Sequence, residues 1–129
     1  IKNTLYKRIC MKLSLKIEEL IMFLLGIFMF TNLSISWWWF IGLFFAPDIG
    51  MLGYLFNSKI GAFAYNLFHH KGVALIFYFI GVFLSSEVLQ FIGILLFSHA
   101  SFDRIFGYGL KYNDDFQNTH LGKIGKTHE

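Results

Sequence analysis

The sequence predicts an all-α integral membrane protein, a bundle of four transmembrane helices. Hydrophobic residues make up 56% of the 129 residues and charged residues only 15%, against roughly 25% charged in ordinary globular domains. Apolar runs of about 20 residues recur, and a helix of that length crosses a hydrocarbon core of about 30 Å. The sequence contains no nucleic-acid-binding motif, and its single cysteine, Cys10, excludes an intramolecular disulfide and a CxxC metal site.

Short polar segments separate four apolar runs, which are the predicted spans. Residues 1–16 carry Lys and Arg but no acid. Met11 would serve as a start, so one interpretation of residues 1–10 is a translated upstream extension, and we place no function on them. We expect the transmembrane domain to cover 17–112 and a polar cytoplasmic tail to follow at 113–129. The four predicted spans are 17–33, 36–56, 60–84 and 88–108.

The first two spans begin with recognisable signals. Glu18 and Glu19 open span 1, where carboxylates suit the positive end of the helix dipole. A solvated helix start is one interpretation of these acids, and a site role for one of them is the other. The three Trp residues at 37–39 open span 2, as in an interfacial aromatic belt. Pro47 predicts a kink or break, and Asp48 then either faces inward or caps a second helix.

Span 3 combines a polar first half with an apolar second half. Asn66, His69 and His70 are spaced i, i+3, i+4 and therefore share one stripe of a helix. We favour His69 as the inward residue, which leaves His70 beside Lys71. A break near Lys71 is the alternative to one continuous helix.

Span 4 ends in the motif FSHASFDRIFGYGLKY, whose ionisable residues are costly in a membrane and therefore indicate a site. His99 and Asp103 are four residues apart and share a helix face. Arg104 is rotated from Asp103 by about 100°. Gly107 and Gly109 are expected to end the helix.

The distribution of Lys and Arg predicts the orientation of the bundle. These residues concentrate before span 1, at Lys59 between spans 2 and 3, and after span 4, whereas the turns at 33–36 and 85–87 carry none. By the positive-inside rule, both termini are cytoplasmic, and an even number of spans is required. We expect the protein in a bacterial inner (plasma) membrane, with the lipid bilayer as its partner and an oligomer as an open alternative.

In this orientation, polar residues from three spans lie at one depth. Asp48, His69 and His99 each lie nine or ten residues from the cytoplasmic end of their span, roughly 13–15 Å at 1.5 Å per residue. Asp103 and Asn66 lie just below them. The sequence therefore predicts a buried polar pocket that opens to the cytoplasm.

Two carboxylates and two imidazoles form the core of this pocket, and such a set suits Zn²⁺, Mn²⁺ or Fe²⁺. The tail residue His120 could fold back and contribute to it. For His99 and Asp103, acid–base catalysis and a structural hydrogen-bonded pair are alternatives to metal ligation. The four residues, hereafter the His/Asp cluster, are Asp48, His69, His99 and Asp103.

Further polar residues near the pocket have two interpretations each. Arg104 either pairs with Asp103, which neutralises a charge in the membrane, or clamps a phosphate or carboxylate head group. Tyr65, Tyr108 and Tyr112 are interpreted as interfacial anchors rather than catalytic groups.

The segments PDIGMLGYLF, GAFAYNLFHHK, SHASFDRIFGYGLKY and THLGKIGK resemble a bacterial family of small membrane proteins, domain of unknown function 4260. The resemblance covers roughly residues 15–126 and implies that the motif residues form one unit, but it carries no activity to transfer. The matching positions are Pro47, Asp48, Tyr65, Asn66, His69, His99, Asp103, Arg104, Gly107, Tyr108, Gly109, Lys111, Tyr112, Thr119, His120 and Gly122.

Three functional hypotheses follow from these residues. In the first, the protein is a metal-dependent membrane hydrolase acting on a lipid or other amphiphile, with the His/Asp cluster on the metal and Arg104 with Lys111 on an anionic head group. His99, Asp103 and Arg104 are then the catalytic candidates. In the second, the bundle is a non-catalytic binding protein, for example for haem between His69 and His99. In the third, the polar residues only hold the helices of a structural or partner-binding bundle together.

Overall fold

The computed structural model describes residues 2–48, 55–107, 118–119 and 122–123. This part of the chain is helical apart from one antiparallel strand pair, in which Asn118 lies opposite Lys123 and Thr119 opposite Gly122. The predicted all-α class is therefore confirmed for the described helical region. The elements are α1 Lys2–Phe30, α2 Trp37–Leu43, α3 Ser58–His69, α4 Lys71–Phe83, α5 Glu87–Ile105, β1 Asn118–Thr119 and β2 Gly122–Lys123.

Helix α5 forms the centre of the bundle, with α1 and α4 packed against it. Ser86 begins the helix by accepting a hydrogen bond from the backbone N–H of Leu89. Every residue from Gly93 to Ser101 is buried. Because α5 is enclosed by its neighbours, the polar side chains that it carries, His99 among them, point into the protein.

Small residues allow α4 and α5 to approach closely. A Cβ placed on Gly93 would lie 2.5 Å from the backbone nitrogen of Tyr78 and 2.6 Å from the carbonyl oxygen of Ala74. Backbone atoms cannot yield as the end of a side chain can, so glycine is required at this crossing. On the other side of α5, Gly26 of α1 lies against Ser98.

Helix α1 begins at Lys2, so the basic segment and the first predicted span form one continuous helix of 29 residues. Residues 3–18 are exposed, and the first buried residue is Glu19. After α1 ends, Ser34 donates from its backbone N–H to the carboxylate of Glu87 at 2.6 Å and from its hydroxyl at 2.9 and 3.0 Å. These bonds connect the turn after α1 to the start of α5.

The second predicted span is broken at Pro47, as the sequence indicated. Helix α2 ends at Leu43, four residues before Pro47. A proline lacks the N–H that would bond to that carbonyl, and its ring clashes with it, so the helix cannot continue. Aromatic side chains of α1, α2 and α5 pack together beside this break; the buried members are Phe30, Phe40, Phe44 and Phe91, with Ile94 and Leu95.

The third predicted span is also broken, at the position that the alternative interpretation placed near Lys71. Helices α3 and α4 are bent by 47° at His70, whose backbone is extended at φ −88° and ψ 119°. The His70 ring accepts hydrogen bonds from the backbone N–H groups of Gly72 and Val73, so it caps α4 and faces away from the core.

Among the described helices, α5 alone is long and apolar enough to cross a membrane, and α3 with α4 would be a second span if the bent pair is counted as one. Helix α1 is long enough, but its charged residues continue to Glu19. The buried core helix of a soluble protein shares the length and composition of α5. Within the described residues there is thus one helix that could span a membrane, or two spans if the bent pair is one of them.

Candidate metal centre

His69 occupies the last position of α3 and is buried. Its Nδ1 lies 2.8 Å from the carbonyl oxygen of Tyr65, one helical turn earlier. Since a carbonyl oxygen can only accept, Nδ1 carries the proton and donates, which leaves Nε2 of the neutral ring with a free lone pair. The Tyr65 ring stacks on the imidazole, with centroids 3.8 Å apart and an angle of 8° between the planes. Tyr65 therefore fixes both the tautomer and the orientation of His69.

His99 lies in the middle of α5 and is 0% exposed. Its Nε2 is 3.0 Å from Nε2 of His69. The rings of Phe44 and Phe45 lie edge-on to the imidazole, with centroids at 5.4 and 5.9 Å. Within the described residues, Nδ1 of His99 is buried without a hydrogen-bond partner. Packing therefore surrounds the ring, and its Nε2 is directed at His69 and at the two carboxylates of the cluster.

The two carboxylates approach both imidazoles. Oδ1 of Asp48 lies 3.2 Å from Nε2 of His69 and 3.1 Å from Nε2 of His99. Oδ2 of Asp103 lies 3.1 and 3.2 Å from the same two nitrogens. The side chain of Asp48 is 37% exposed and that of Asp103 only 14%, so the cluster meets its surroundings mainly on the Asp48 side.

These distances are similar to those between the ligand atoms that surround a small metal ion. One ligand atom from each of the four residues lies within 4.8 Å of the other three. In a tetrahedral site with bonds of about 2.0 Å, the ligand atoms lie about 3.3 Å from one another. The imidazole–imidazole and imidazole–carboxylate separations, 3.0–3.2 Å, are close to that value. The donor set and the spacing around the two imidazoles therefore fit a metal ion.

The Nδ1 atoms of the two histidines differ in their contacts, and only His69 has the contact that is usual for a metal-bound histidine. A metal-bound histidine usually donates its other ring N–H to a carbonyl or carboxylate. His69 does so to Tyr65, whereas His99 has no such partner in the described part of the chain. A purely hydrogen-bonded cluster must instead place protons between the two Nε2 atoms and the carboxylates, since two facing lone pairs at 3.0 Å repel. The metal-bound and the hydrogen-bonded cluster therefore both carry positive charge between the imidazoles and the carboxylates, as a metal ion in the first and as protons in the second.

These positions confirm some of the sequence interpretations and correct others. His69 faces inward and His70 is exposed, as expected. Tyr65, interpreted as an interfacial anchor, is buried against His69, because it lies one turn before it on the inner face of α3. Asn66 is half-buried and is not one of the four converging residues. Gly107 has φ +90° just after α5, which confirms the predicted helix stop.

A second polar group, not predicted as such, joins α1, α4 and α5. Glu19 is only 8% exposed, so the solvated interpretation is wrong for this residue, whereas Glu18 is exposed. The ammonium of Lys71 contacts the Glu19 carboxylate, and Nη1 of Arg104 lies 4.0 Å from it. Arg104 therefore turns toward Glu19 rather than Asp103. The sequence contains a signal for this group, because Lys71 is the only Lys or Arg in the predicted span 60–84.

The remaining predicted residues cannot be placed in this geometry. They lie outside the described residues or, for Thr119 and Gly122, in the short strands, where only the backbone is described. The residues outside are Tyr108, Gly109, Lys111, Tyr112 and His120.

Comparison with protein families establishes the relationship of the chain. Residues 12–124 match the family described as Domain of unknown function (DUF4260). The chain belongs to this family. The resemblance noted in the sequence motifs is thereby confirmed, and all residues of the His/Asp cluster lie within the matching DUF4260 region. No curated protein and no solved structure matches the chain.

Proposed function

We propose that this DUF4260 protein is a small integral membrane protein whose His/Asp cluster binds one divalent metal ion, Zn²⁺, Mn²⁺ or Fe²⁺. The observation that carries the proposal is the convergence of two imidazole nitrogens and two carboxylate oxygens at 3.0–3.2 Å from three separate segments of the chain. Buried charges of this kind are costly unless they are paired or hold a cation. A divalent metal ion would balance the negative charges of both carboxylates.

The exposed apolar surface supports a location in the membrane. Large hydrophobic side chains point outward along α1, α2 and α4; Phe28, Trp38, Phe79 and Phe83 are among them. Soluble monomers rarely expose extended apolar patches, because contact with water is unfavourable. We propose that α1, the broken α2 segment, the bent α3–α4 pair and α5 cross a bacterial plasma membrane, with both termini cytoplasmic.

The proposed reaction is hydrolysis of a lipid-like substrate. A bound metal would supply Lewis-acid activation of a water and of the scissile bond. Asp48 is the most exposed member of the cluster, so water and substrate would approach on its side. Its Oδ1, which faces the imidazoles, would hold the metal, and its second carboxylate oxygen would accept a proton from water. Phe44 and Phe45 shield His99 from water, and Tyr65 holds the His69 ring in place.

The haem hypothesis does not agree with the spacing of the imidazoles. Two nitrogens on opposite sides of one iron would lie about 4 Å apart, twice a metal–nitrogen bond of about 2.0 Å. The Nε2 atoms of His69 and His99 are 3.0 Å apart, which leaves no space for a porphyrin between them.

Elemental analysis by mass spectrometry tests the metal proposal on full-length protein purified in detergent without chelator. We expect near-stoichiometric metal in the parent and loss of at least about tenfold in affinity for His69→Ala or for the His99→Ala/Asp103→Ala double variant. The matched control is His70→Ala, which removes the adjacent exposed imidazole and should keep the metal.

Two outcomes would overturn the proposal. One is a folded parent protein that remains free of metal after incubation with Zn²⁺, Mn²⁺ and Fe²⁺ in turn. The other is equal metal loss in His69→Ala and His70→Ala. If metal is bound, ester and phosphoester lipids are then tested as substrates, and activity should disappear with the same variants that lose the metal.

A further inference from the structure

A cavity of about 200 Å³ lies between the first half of α1 and the end of α5. It is separate from the His/Asp cluster, none of whose members lines it. Its wall combines basic and apolar side chains with the glycine that follows α5. The lining residues are Lys12, Leu15, Lys16, Arg104, Phe106 and Gly107.

The cavity carries an excess of positive charge. Lys12 and Lys16 lie one helical turn apart on the same face of α1, an arrangement of like charges that is mildly destabilising without a counterion. Among the described residues, no acid lines the cavity. The nearest described carboxylate contact is that of Glu19 with Arg104 at 4.0 Å, and Glu19 is already engaged by Lys71. The three cations of the wall, Lys12, Lys16 and Arg104, therefore have too little negative charge near them, within the described residues, to balance their own.

The guanidinium of Arg104 has donors that a single contact at 4.0 Å does not use. Arginine presents five N–H donors in a planar fork that matches two oxygens of a phosphate group, and lysine adds a mobile point charge. Leu15 and Phe106 provide an apolar wall beside these cations. This combination suits a phosphate group esterified to an apolar molecule.

We propose that this cleft binds a phosphate group, either from the head group of an anionic phospholipid or from a soluble phosphate. The proposal does not depend on a metal in the His/Asp cluster. In the orientation proposed above, the cleft lies at the cytoplasmic surface, where anionic lipids attract clusters of Lys and Arg. The lipid is accordingly the expected source.

Native mass spectrometry of the full chain in detergent tests the proposal with three probes. Phosphatidylglycerol carries an anionic phosphate ester, diacylglycerol has the same tails without phosphate, and inorganic phosphate is the soluble source. The test variants are the Lys12→Gln/Lys16→Gln double variant and Arg104→Gln. The matched control is Lys7→Gln/Arg8→Gln, which removes as much charge from the same exposed half of α1 but lies outside this cavity.

We expect phosphatidylglycerol to bind the parent and the Lys7→Gln/Arg8→Gln control equally, and to bind at least about tenfold more weakly to both test variants, as for loss of a charge-assisted contact. Diacylglycerol should not distinguish the proteins. Competition by inorganic phosphate at similar concentration would support the same site with a soluble ligand.

Two results would refute the phosphate site. One is equal weakening by the Lys7→Gln/Arg8→Gln control, which would mean that only the overall charge of α1 matters. The other is binding of phosphatidylglycerol no tighter than that of diacylglycerol. Metal content, measured on the same samples, should be unchanged in Lys12→Gln/Lys16→Gln. Lipid binding thus tests the phosphate site and metal content tests the His/Asp cluster, so either proposal can fail without the other.

Discussion

At the scale of single residues, Glu19 is the side chain whose environment departs most from its position in the sequence. It opens an apolar run, where a solvated carboxylate is the ordinary expectation. In the folded chain it is 8% exposed and lies between the cations Lys71 and Arg104. Removing one partner from such a buried group leaves charges that neither water nor protein compensates.

Neutralising Glu19 should therefore destabilise the protein. We expect Glu19→Gln to lower the free energy of unfolding by about 3 kcal/mol, the usual cost of breaking a buried ion pair. Glu18→Gln is the matched control, because Glu18 is exposed in the preceding position and should change stability by less than about 0.5 kcal/mol. Thermal unfolding in detergent measures both. Equal melting temperatures for the two variants would contradict the structural role of Glu19.

The His/Asp cluster was more predictable than Glu19. Three of its residues, Asp48, His69 and His99, stand nine or ten residues from the cytoplasmic ends of their predicted spans, and such depth can be counted directly in the sequence. The burial of Glu19 depends on which face of α1 meets α4 and α5. That choice is set by the close contact of Gly26 with Ser98, which no periodicity in α1 reveals. The stacking of Tyr65 on His69, by contrast, follows from their i, i+4 spacing in α3, and it was missed because Tyr65 was interpreted as an interfacial anchor.

At the scale of secondary structure, breaks were easier to predict than helix lengths. Pro47 ends α2 at Leu43 through the carbonyl four residues earlier, a rule that is read from sequence alone. The break at His70 depends on a side chain that caps α4, and histidine is not a common cap. The sequence therefore indicated this break only as an alternative to one long helix.

The α4–α5 crossing makes a prediction about glycine. A methyl group on Gly93 would lie 2.5–2.8 Å from backbone atoms of Tyr78 and Ala74, closer than any relaxed contact, so the helices must separate. We expect Gly93→Ala to cost about 1–3 kcal/mol, as overpacked cores do. Gly42→Ala, in α2, is the control, because nothing lies within 4 Å of its Cβ position. It should be neutral or stabilising by up to about 1 kcal/mol.

The melting temperatures of Gly93→Ala and Gly42→Ala test whether the α4–α5 crossing requires glycine. The crossing is contradicted if Gly93→Ala melts at the temperature of the parent. Gly93 lies six residues before His99 on the same helix, fewer than two turns at 3.6 residues per turn. The metal content of Gly93→Ala therefore also reports whether the α4–α5 spacing is needed to assemble the His/Asp cluster.

At the scale of the whole molecule, charge and apolar surface are segregated along the bundle axis. Lys and Arg occur in 2–16 and at Lys59, Lys71, Arg104, Lys111, Lys123 and Lys126, but not between 17 and 58 or between 72 and 103. The turns after α1 and α4 contain no Lys or Arg, and the contact between Ser34 and Glu87 joins them. This polarity is what the positive-inside rule predicts for a membrane bundle.

The proposed orientation can be tested with the only cysteine in the chain. Cys10 is exposed on the basic half of α1, and Asn32 is exposed in the turn beyond its other end. Asn32 is 22 residues after Cys10, and a helix of that length rises about 33 Å at 1.5 Å per residue, slightly more than a hydrocarbon core of about 30 Å. If α1 spans the membrane, the two positions face opposite compartments.

We expect a membrane-impermeant maleimide to label Cys10 in inside-out vesicles and not in right-side-out vesicles. The Cys10→Ser/Asn32→Cys variant should show the reverse, and Cys10→Ser alone should not be labelled at all. Detergent makes both cysteines reactive and confirms that neither is buried. Labelling of both positions from one side would exclude α1 as a span, because no spanning helix can place its two ends in one compartment. Recovery of the protein in the soluble fraction would instead assign the exposed apolar faces of α1 and α4 to contacts with other proteins.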